Sequence, residues 1–220
     1  MPVLFWIHGG AWYYGSSSFY GSNKYFMDKD LIVVSINYRL GAFGFLSTDD
    51  DIVPGNMGLK DQSLALRWVS ENIQYFGGDS KRITLFGNSA GAASVHYHYL
   101  SPMSYGLFQN GISPSGTALD IWAHADNGKG NTDILACAVG CSDTDSTSIV
   151  KCLKKVPADE IQKAVSNIAV RFQFYFFIFF TKKILNVIDL FQSYSVYYLI
   201  FLAGETFRSH INVSSSNRKN

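Results

Sequence analysis

Gly87-Asn88-Ser89-Ala90-Gly91 lies between a strand-like run, Arg82-Ile83-Thr84-Leu85-Phe86, and a run of small residues, Ala90-Gly91-Ala92-Ala93-Ser94-Val95, that reads as a helix. A G-x-S-x-G turn in strand–turn–helix context is a nucleophile elbow. The turn holds the serine backbone in a strained conformation, and the flanking glycines remove the Cβ atoms that would collide there. The hydroxyl of Ser89 then stands at the carboxyl end of a parallel sheet. The neighbouring N–H groups sit at a helix N-terminus, where negative charge is favoured. Without that context the pentapeptide is only a helix-start turn, so its surroundings decide the reading.

The surroundings agree. His8-Gly9-Gly10-Ala11-Trp12 follows a second strand-like run, Val3-Leu4-Phe5-Trp6-Ile7. Acyl transfer needs N–H donors aimed at the oxygen that becomes negative in the tetrahedral intermediate. A glycine pair lets the backbone approach that oxygen closely. Leu31-Ile32-Val33-Val34-Ser35-Ile36 is a continuous apolar run, as in a parallel strand covered on both faces. Lys60 to Tyr75 predicts a helix with Leu64, Trp68 and Ile73 near one face and Ala65 and Val69 beside them. Phe76-Gly77-Gly78-Asp79 stops it. Gly41 to Gly58, with the acidic run Asp49-Asp50-Asp51, reads as a solvated loop, and Gly111-Ile112-Ser113 as a short strand. Buried strands alternating with amphipathic helices predict an α/β chain: a doubly wound, mostly parallel sheet with flanking helices.

The chain has 220 residues, room for one domain with a sizeable core, and a net charge of +1 that offers nucleic acid nothing to bind. Cys137, Cys141 and Cys152 form no C-x-x-C pair, and no histidine stands beside them at ligand spacing, so neither a metal nor any other cofactor is expected. Cys141 and Cys152, offset by 11 residues, either close a disulfide or stay reduced with Cys137 as three buried thiols. A disulfide would place the protein in a secretory compartment. Met1-Pro2-Val3 leads straight into a strand without a leader peptide. With a functional loop already at residue 8, that start is read as a truncated N-terminus.

Composition changes after about Ala169. Six phenylalanines crowd residues 171–180 (Phe172, Phe174, Phe176, Phe177, Phe179 and Phe180), and a second apolar stretch runs from Ser195 to Ala203. Neither reaches the roughly 20 apolar residues that cross a bilayer as a helix, so a membrane partner is not expected. Residues 1–169 are read as a partial catalytic domain. Residues 170–220 are read as an apolar tail foreign to it, with the Phe, Tyr, Ile, Lys, Asn and Ser bias of translated AT-rich sequence.

Taken together, these stretches resemble the type-B carboxylesterases, which include cholinesterases and insect juvenile-hormone, venom and detoxifying esterases. His8-Gly9-Gly10-Ala11-Trp12, Asn37-Tyr38-Arg39-Leu40-Gly41-Ala42-Phe43-Gly44-Phe45, Gly55-Asn56-Met57-Gly58-Leu59-Lys60-Asp61-Gln62, Phe76-Gly77-Gly78-Asp79 and the elbow carry the resemblance, from residue 2 to about 168. It implies an α/β-hydrolase fold and a small-molecule carboxylic ester as substrate. It makes Ser89 the nucleophile and gives Gly10, Ala11 and Ala90 as oxyanion-hole donors, with Gly9 shaping the loop. It further implies an aromatic on the acyl side at Trp122, a Cys141–Cys152 disulfide, a structural Arg39–Asp61 ion pair, and secretion of the full-length protein. Two residues depart from the family pattern, Asn88 where many members have Glu and Pro114 where Gln is usual.

A serine nucleophile needs a base, and the base an orienting acid, in the order Ser, acid, His. His8 belongs to the oxyanion loop. His96 lies about 10 Å along the helix that Ser89 opens. His98 shares that helix, His124 comes too early, and His210 falls in the tail. The triad acid and histidine are therefore expected to be missing, which leaves a nucleophile and an oxyanion hole. The alternative is a non-catalytic binding or adhesion protein of the neuroligin kind, which an intact elbow argues against. Oligomeric state cannot be read from the sequence.

Overall fold

A computed structural model describes residues 1–18, 26, 28–125 and 127–168. Four strands make one sheet: β1 (Val3–Ile7), β2 (Ile32–Ser35), β3 (Ile83–Gly87) and β4 (Asn110–Ile112), in the order β2-β1-β3-β4. Every pairing is parallel, with Val3 opposite both Ile32 and Ile83, and Phe86 opposite Ile112. Parallel strands need crossovers, and these carry the first three helices, while three more follow β4. They are α1 (Gly41–Phe45), α2 (Met57–Asn72), α3 (Ala90–Leu100), α4 (Gly128–Ala138), α5 (Ser146–Leu153) and α6 (residues 158–168).

The main core lies on the two central strands. Phe5, Ile7, Ile83 and Leu85 are fully buried, with Leu66 and Val69 packed from α2, Ile73 from the turn that follows it and Val95 from α3. Each such aliphatic or aromatic side chain contributes about 1.5–3 kcal/mol through its removal from water. A second, smaller cluster joins Leu135, Ala136, Ile149, Leu153 and Ala164 across α4, α5 and α6. The helix starts there are capped from the sequence: Asn127 Oδ1 accepts the Gly130 amide and Asp145 Oδ2 accepts the Ser148 amide, both at 2.8 Å.

The parallel sheet and the strand positions agree with the sequence reading, but α2 does not. Leu64 and Trp68 were expected on its buried face and are 66% and 52% exposed. The buried stripe is Gln62, Leu66, Val69 and Ile73, beside Gly58 and Ser63. Ile73 and Val69, expected on and beside that face, are buried, but two polar residues also occupy core positions because hydrogen bonds satisfy them there, and the apolar residues alone misplaced Leu64 and Trp68. The helix also begins at Met57 and ends at Asn72, followed by a 3-10 turn over Ile73–Phe76. Part of the segment expected as loop, Gly41–Phe45, is helical. The apolar stretches after Ala169 lie outside the described residues. Among the described residues no helix is long and apolar enough to cross a membrane.

Candidate active site

Because β1 and β3 are adjacent and parallel, with Ile7 opposite Gly87, the segments that follow them leave the same sheet edge side by side. After β3 the chain turns at Ser89, whose φ of 55° and ψ of −120° lie where few non-glycine residues are found, and α3 starts at Ala90. The turn is held from both sides. Ser89 N donates to Pro114 O at 3.1 Å, and Ser89 O accepts the Ala93 amide at 3.0 Å. The motif glycines are sterically required. A Cβ on Gly87 would stand 2.3 Å from the Gly91 carbonyl, and one on Gly91 would stand 2.2 Å from Ile7 O. Gly91 thus brings α3 against the end of β1. Gly116 closes the far side, where a Cβ would meet Ser89 O at 2.5 Å and the Trp122 ring at 3.1 Å.

The loop after β1 is curled onto itself. Gly10 has a φ of 111°, Ala11 of 53° and Trp12 of 54°. Gly10 O accepts the amides of Tyr13 at 2.9 Å and Tyr14 at 3.0 Å. His8 is fully buried, stacked on Tyr38 with centroids 4.4 Å apart, and its own carbonyl accepts the Tyr38 hydroxyl at 2.7 Å. His8 Nδ1 faces Gly9 O at 2.8 Å, so it carries the ring proton, and among the described residues Nε2 has no hydrogen-bond partner. Burial lowers the His8 pKa, which keeps the ring neutral. Fixing Gly9 O toward the ring turns the N–H of the same trans peptide, that of Gly10, the opposite way.

The predicted residues are therefore distributed as follows. Ser89 and Ala90 are at the elbow, and Gly9, Gly10 and Ala11 lie on the adjoining loop. Trp122 is 5.8 Å from Trp12, centroid to centroid, and 39% exposed. Trp12, Trp122, Tyr97 and Phe45 help line an apolar cavity of about 800 Å³ that also reaches His124. Cys141 and Cys152 are disulfide-bonded with Cα atoms 5.6 Å apart, tying the turn after α4 to α5. Cys137 is free and exposed. Arg39 and Asp61 form a two-pronged pair, Nε to Oδ2 and Nη2 to Oδ1 both at 2.7 Å, and the guanidinium holds the Asp61 carboxyl below the usual range.

Among the described residues Ser89 Oγ has no histidine partner. His96 Nδ1 accepts the Ala118 amide at 3.2 Å. His98 is buried in a separate network, bonded to Gln62 and Ser104. His124 lies at the cavity wall and is exposed. His210 lies outside the described residues. Among the described residues no group of His, Cys, Asp and Glu could hold a metal ion.

A profile of the carboxylesterase family matches residues 1–194. The chain belongs to the carboxylesterase family. Its α/β-hydrolase fold accounts for the parallel sheet and the helices that flank it. Venom carboxylesterase-6 of Apis mellifera is 52% identical over 167 residues, covering 76% of this chain and 30% of that protein. Juvenile hormone esterase of Tribolium castaneum is 51% identical over 172 residues, again 76% of this chain and 29% of its own length. Neuroligin-2 of Mus musculus is 46% identical over 160 residues, 73% of this chain and 19% of the relative. The chain thus spans about 30% of the length of these two esterases.

The sequence reading missed the buried polar network between α2 and α3 and the three helices after residue 127. The Asn and Asp caps were legible signals for two of those helices.

Proposed function

We propose that this carboxylesterase-family chain carries the nucleophile and oxyanion hole of a carboxylic-ester hydrolase. The observation that supports it best is the backbone of Ser89, strained at a strand-to-helix turn beside a loop whose two positive-φ residues follow a glycine pair. Ser89 Oγ attacks the ester carbonyl, its proton passing to a base from beyond residues 1–169 and from there to the departing alcohol oxygen. The N–H groups of Gly10, Ala11 and Ala90 hold the tetrahedral oxyanion, with Gly9 shaping the loop. The alcohol leaves, and water then releases the acid. Trp122 flanks the acyl group. The substrate is a small carboxylic ester. A disulfide and relatives named as venom and juvenile hormone esterases support a secreted full-length protein.

We divide the chain into a partial hydrolase domain, residues 1–169, and a tail foreign to it, residues 170–220; relatives that cover 76% of the chain support the division, and the family profile, which matches to residue 194, runs past it. The triad acid and base come from beyond residues 1–169. The chain alone is then nearly inactive, because loss of the base costs on the order of 10⁴-fold or more. A binding role without catalysis is kept as the alternative by the likeness to Neuroligin-2. The strained serine favours the enzyme.

A fluorophosphonate probe separates the two. In a form extended to the length of its relatives, Ser89 labels rapidly and Ser89→Ala abolishes labelling. The 220-residue chain labels slowly or not at all. Labelling of the extended form that survives Ser89→Ala refutes the esterase reading. Rapid Ser89-dependent labelling of the chain alone refutes the missing base and makes His124 and His210 the first candidates.

A further inference from the structure

Ser94 is fully buried on α3, five positions after Ser89. A serine hydroxyl has one proton to donate and two lone pairs. All three are used. Oγ donates to Ala90 O at 2.9 Å, accepts the Trp12 indole Nε1–H at 2.9 Å and accepts from Gln62 Nε2 at 3.3 Å. The three partners come from three segments: the start of α3, the loop after β1, and α2. We propose that Ser94 is a positioning residue whose hydroxyl ties together the two backbone segments of the oxyanion hole, holding Ala11–Trp12 in register with the Ala90 peptide. This rests on the assignment of that hole above.

The loop needs such a tie. Left-handed backbone is strained at residues other than glycine, as at Ala11 and Trp12, and such a conformation persists only where its surroundings over-determine it. Main-chain bonds curl the loop onto Gly10 O and fasten Trp12 O to the Gly41 amide at 2.8 Å. The indole bond to Ser94 fastens it to the helix that Ser89 opens.

The support behind Ser94 runs in one direction. Since Ser94 gives its proton to Ala90 O, Gln62 must present its NH2 group to Ser94. Gln62 Oε1 then faces His98 Nε2 at 3.0 Å, so that nitrogen carries the ring proton. His98 Nδ1, left bare, accepts the Ser104 hydroxyl at 2.8 Å. Ser104 in turn accepts from Ser63 at 3.1 Å. Every proton in the chain has one consistent place. Each of these side chains is buried, so any break leaves a desolvated polar group unpaired.

The test uses amide hydrogen exchange and the indole N–H resonances of the 220-residue chain. Ser94→Ala and Trp12→Phe each remove one end of the tie. Val69→Ala, a truncation in the same core, serves as a control for general loss of stability. Relative to that control at matched global stability, both variants should speed exchange of the Tyr13, Tyr14 and Gly41 amides roughly tenfold. Ser94→Ala should also deprotect the Trp12 indole proton. If the loop amides respond to both variants as they do to Val69→Ala, Ser94 is merely a core residue and the proposal is wrong. If Ser94→Ala fails to fold, Trp12→Phe decides alone by the same comparison. Exchange needs no reactive serine, so failure of Ser89 to label would overturn the esterase reading without moving this result.

Discussion

Acidification should weaken this fold chiefly through one histidine, and the size of the loss follows from its surroundings. His98 is 2% exposed between Gln62 and Ser104, neither of which carries charge. Burial pushes its pKa from 6.5 down to about 4. The folded state therefore refuses a proton that the unfolded chain accepts. Between those two values the unfolded state binds more protons, so stability falls as pH falls. The contribution is fully present above the unfolded value and is exhausted below the folded one. Linkage gives a loss of about 2 kcal/mol by pH 5 and about 3 kcal/mol by pH 4. His8, also depressed by burial, adds to the loss with the same sign, so a subtraction is needed. His98→Gln keeps a neutral side chain that can donate and accept, and it does not titrate. Urea unfolding curves across this pH range, followed by tryptophan fluorescence, should show the wild type losing about 3 kcal/mol more than His98→Gln. Parallel pH profiles for the two proteins would refute the assignment of a neutral, buried His98.

The other expectations are more local. Gly91→Ala sets a Cβ 2.2 Å from Ile7 O and should cost about 3 kcal/mol or more in chemical denaturation. Gly106→Ala, with φ of 75° and open space around it, should cost only about 1 kcal/mol. Reducing the Cys141–Cys152 bridge should destabilise the cluster of α4, α5 and α6 by about 3 kcal/mol, and before reduction only Cys137 should alkylate in a peptide map. A Cys137 bridge in the non-reduced map would contradict the pairing. Asp61→Asn should cost about 1 kcal/mol or less despite the short contacts, since Arg39 is 53% exposed and water screens the pair; a loss of several kcal/mol would mean that the pair matters more than its exposure allows. Truncation after residue 169 should raise solubility and leave the thermal transition of the sheet in place, whereas unfolding would make the tail part of the domain.

What was legible in the sequence was whatever backbone geometry demands of residue type. Gly87, Gly91 and Gly10 announce themselves because nothing larger fits beside Ile7 O, the Gly91 carbonyl or Tyr14 O. Those constraints mark the elbow and the loop in the sequence itself. The strands were legible as well, because a parallel strand covered on both faces is predominantly apolar: Val3–Ile7 is so throughout, and Ile83–Gly87 carries Thr84 as its one polar residue.

Gln62, Ser63, Ser94 and His98 were illegible for the opposite reason. Nothing in a polar residue's identity says that it is buried. Its partners decide that, and they lie 32 and 36 positions away for the bonds from Gln62 to Ser94 and His98. Reading α2 by its large apolar residues therefore placed Leu64 and Trp68 inside, while the true inner face was marked by side chains that hydrogen-bond one another. The same blindness covered α3. It is buried nearly all round, so it has no amphipathic stripe to read, and Ser94 and His98 pass as ordinary helix residues. A site of this kind has two layers of different visibility. The layer of the elbow and the adjoining loop is written in glycines and a serine at fixed spacing. The layer that holds it in place is written only in three dimensions, and the hydroxyl of Ser94 is where the two meet.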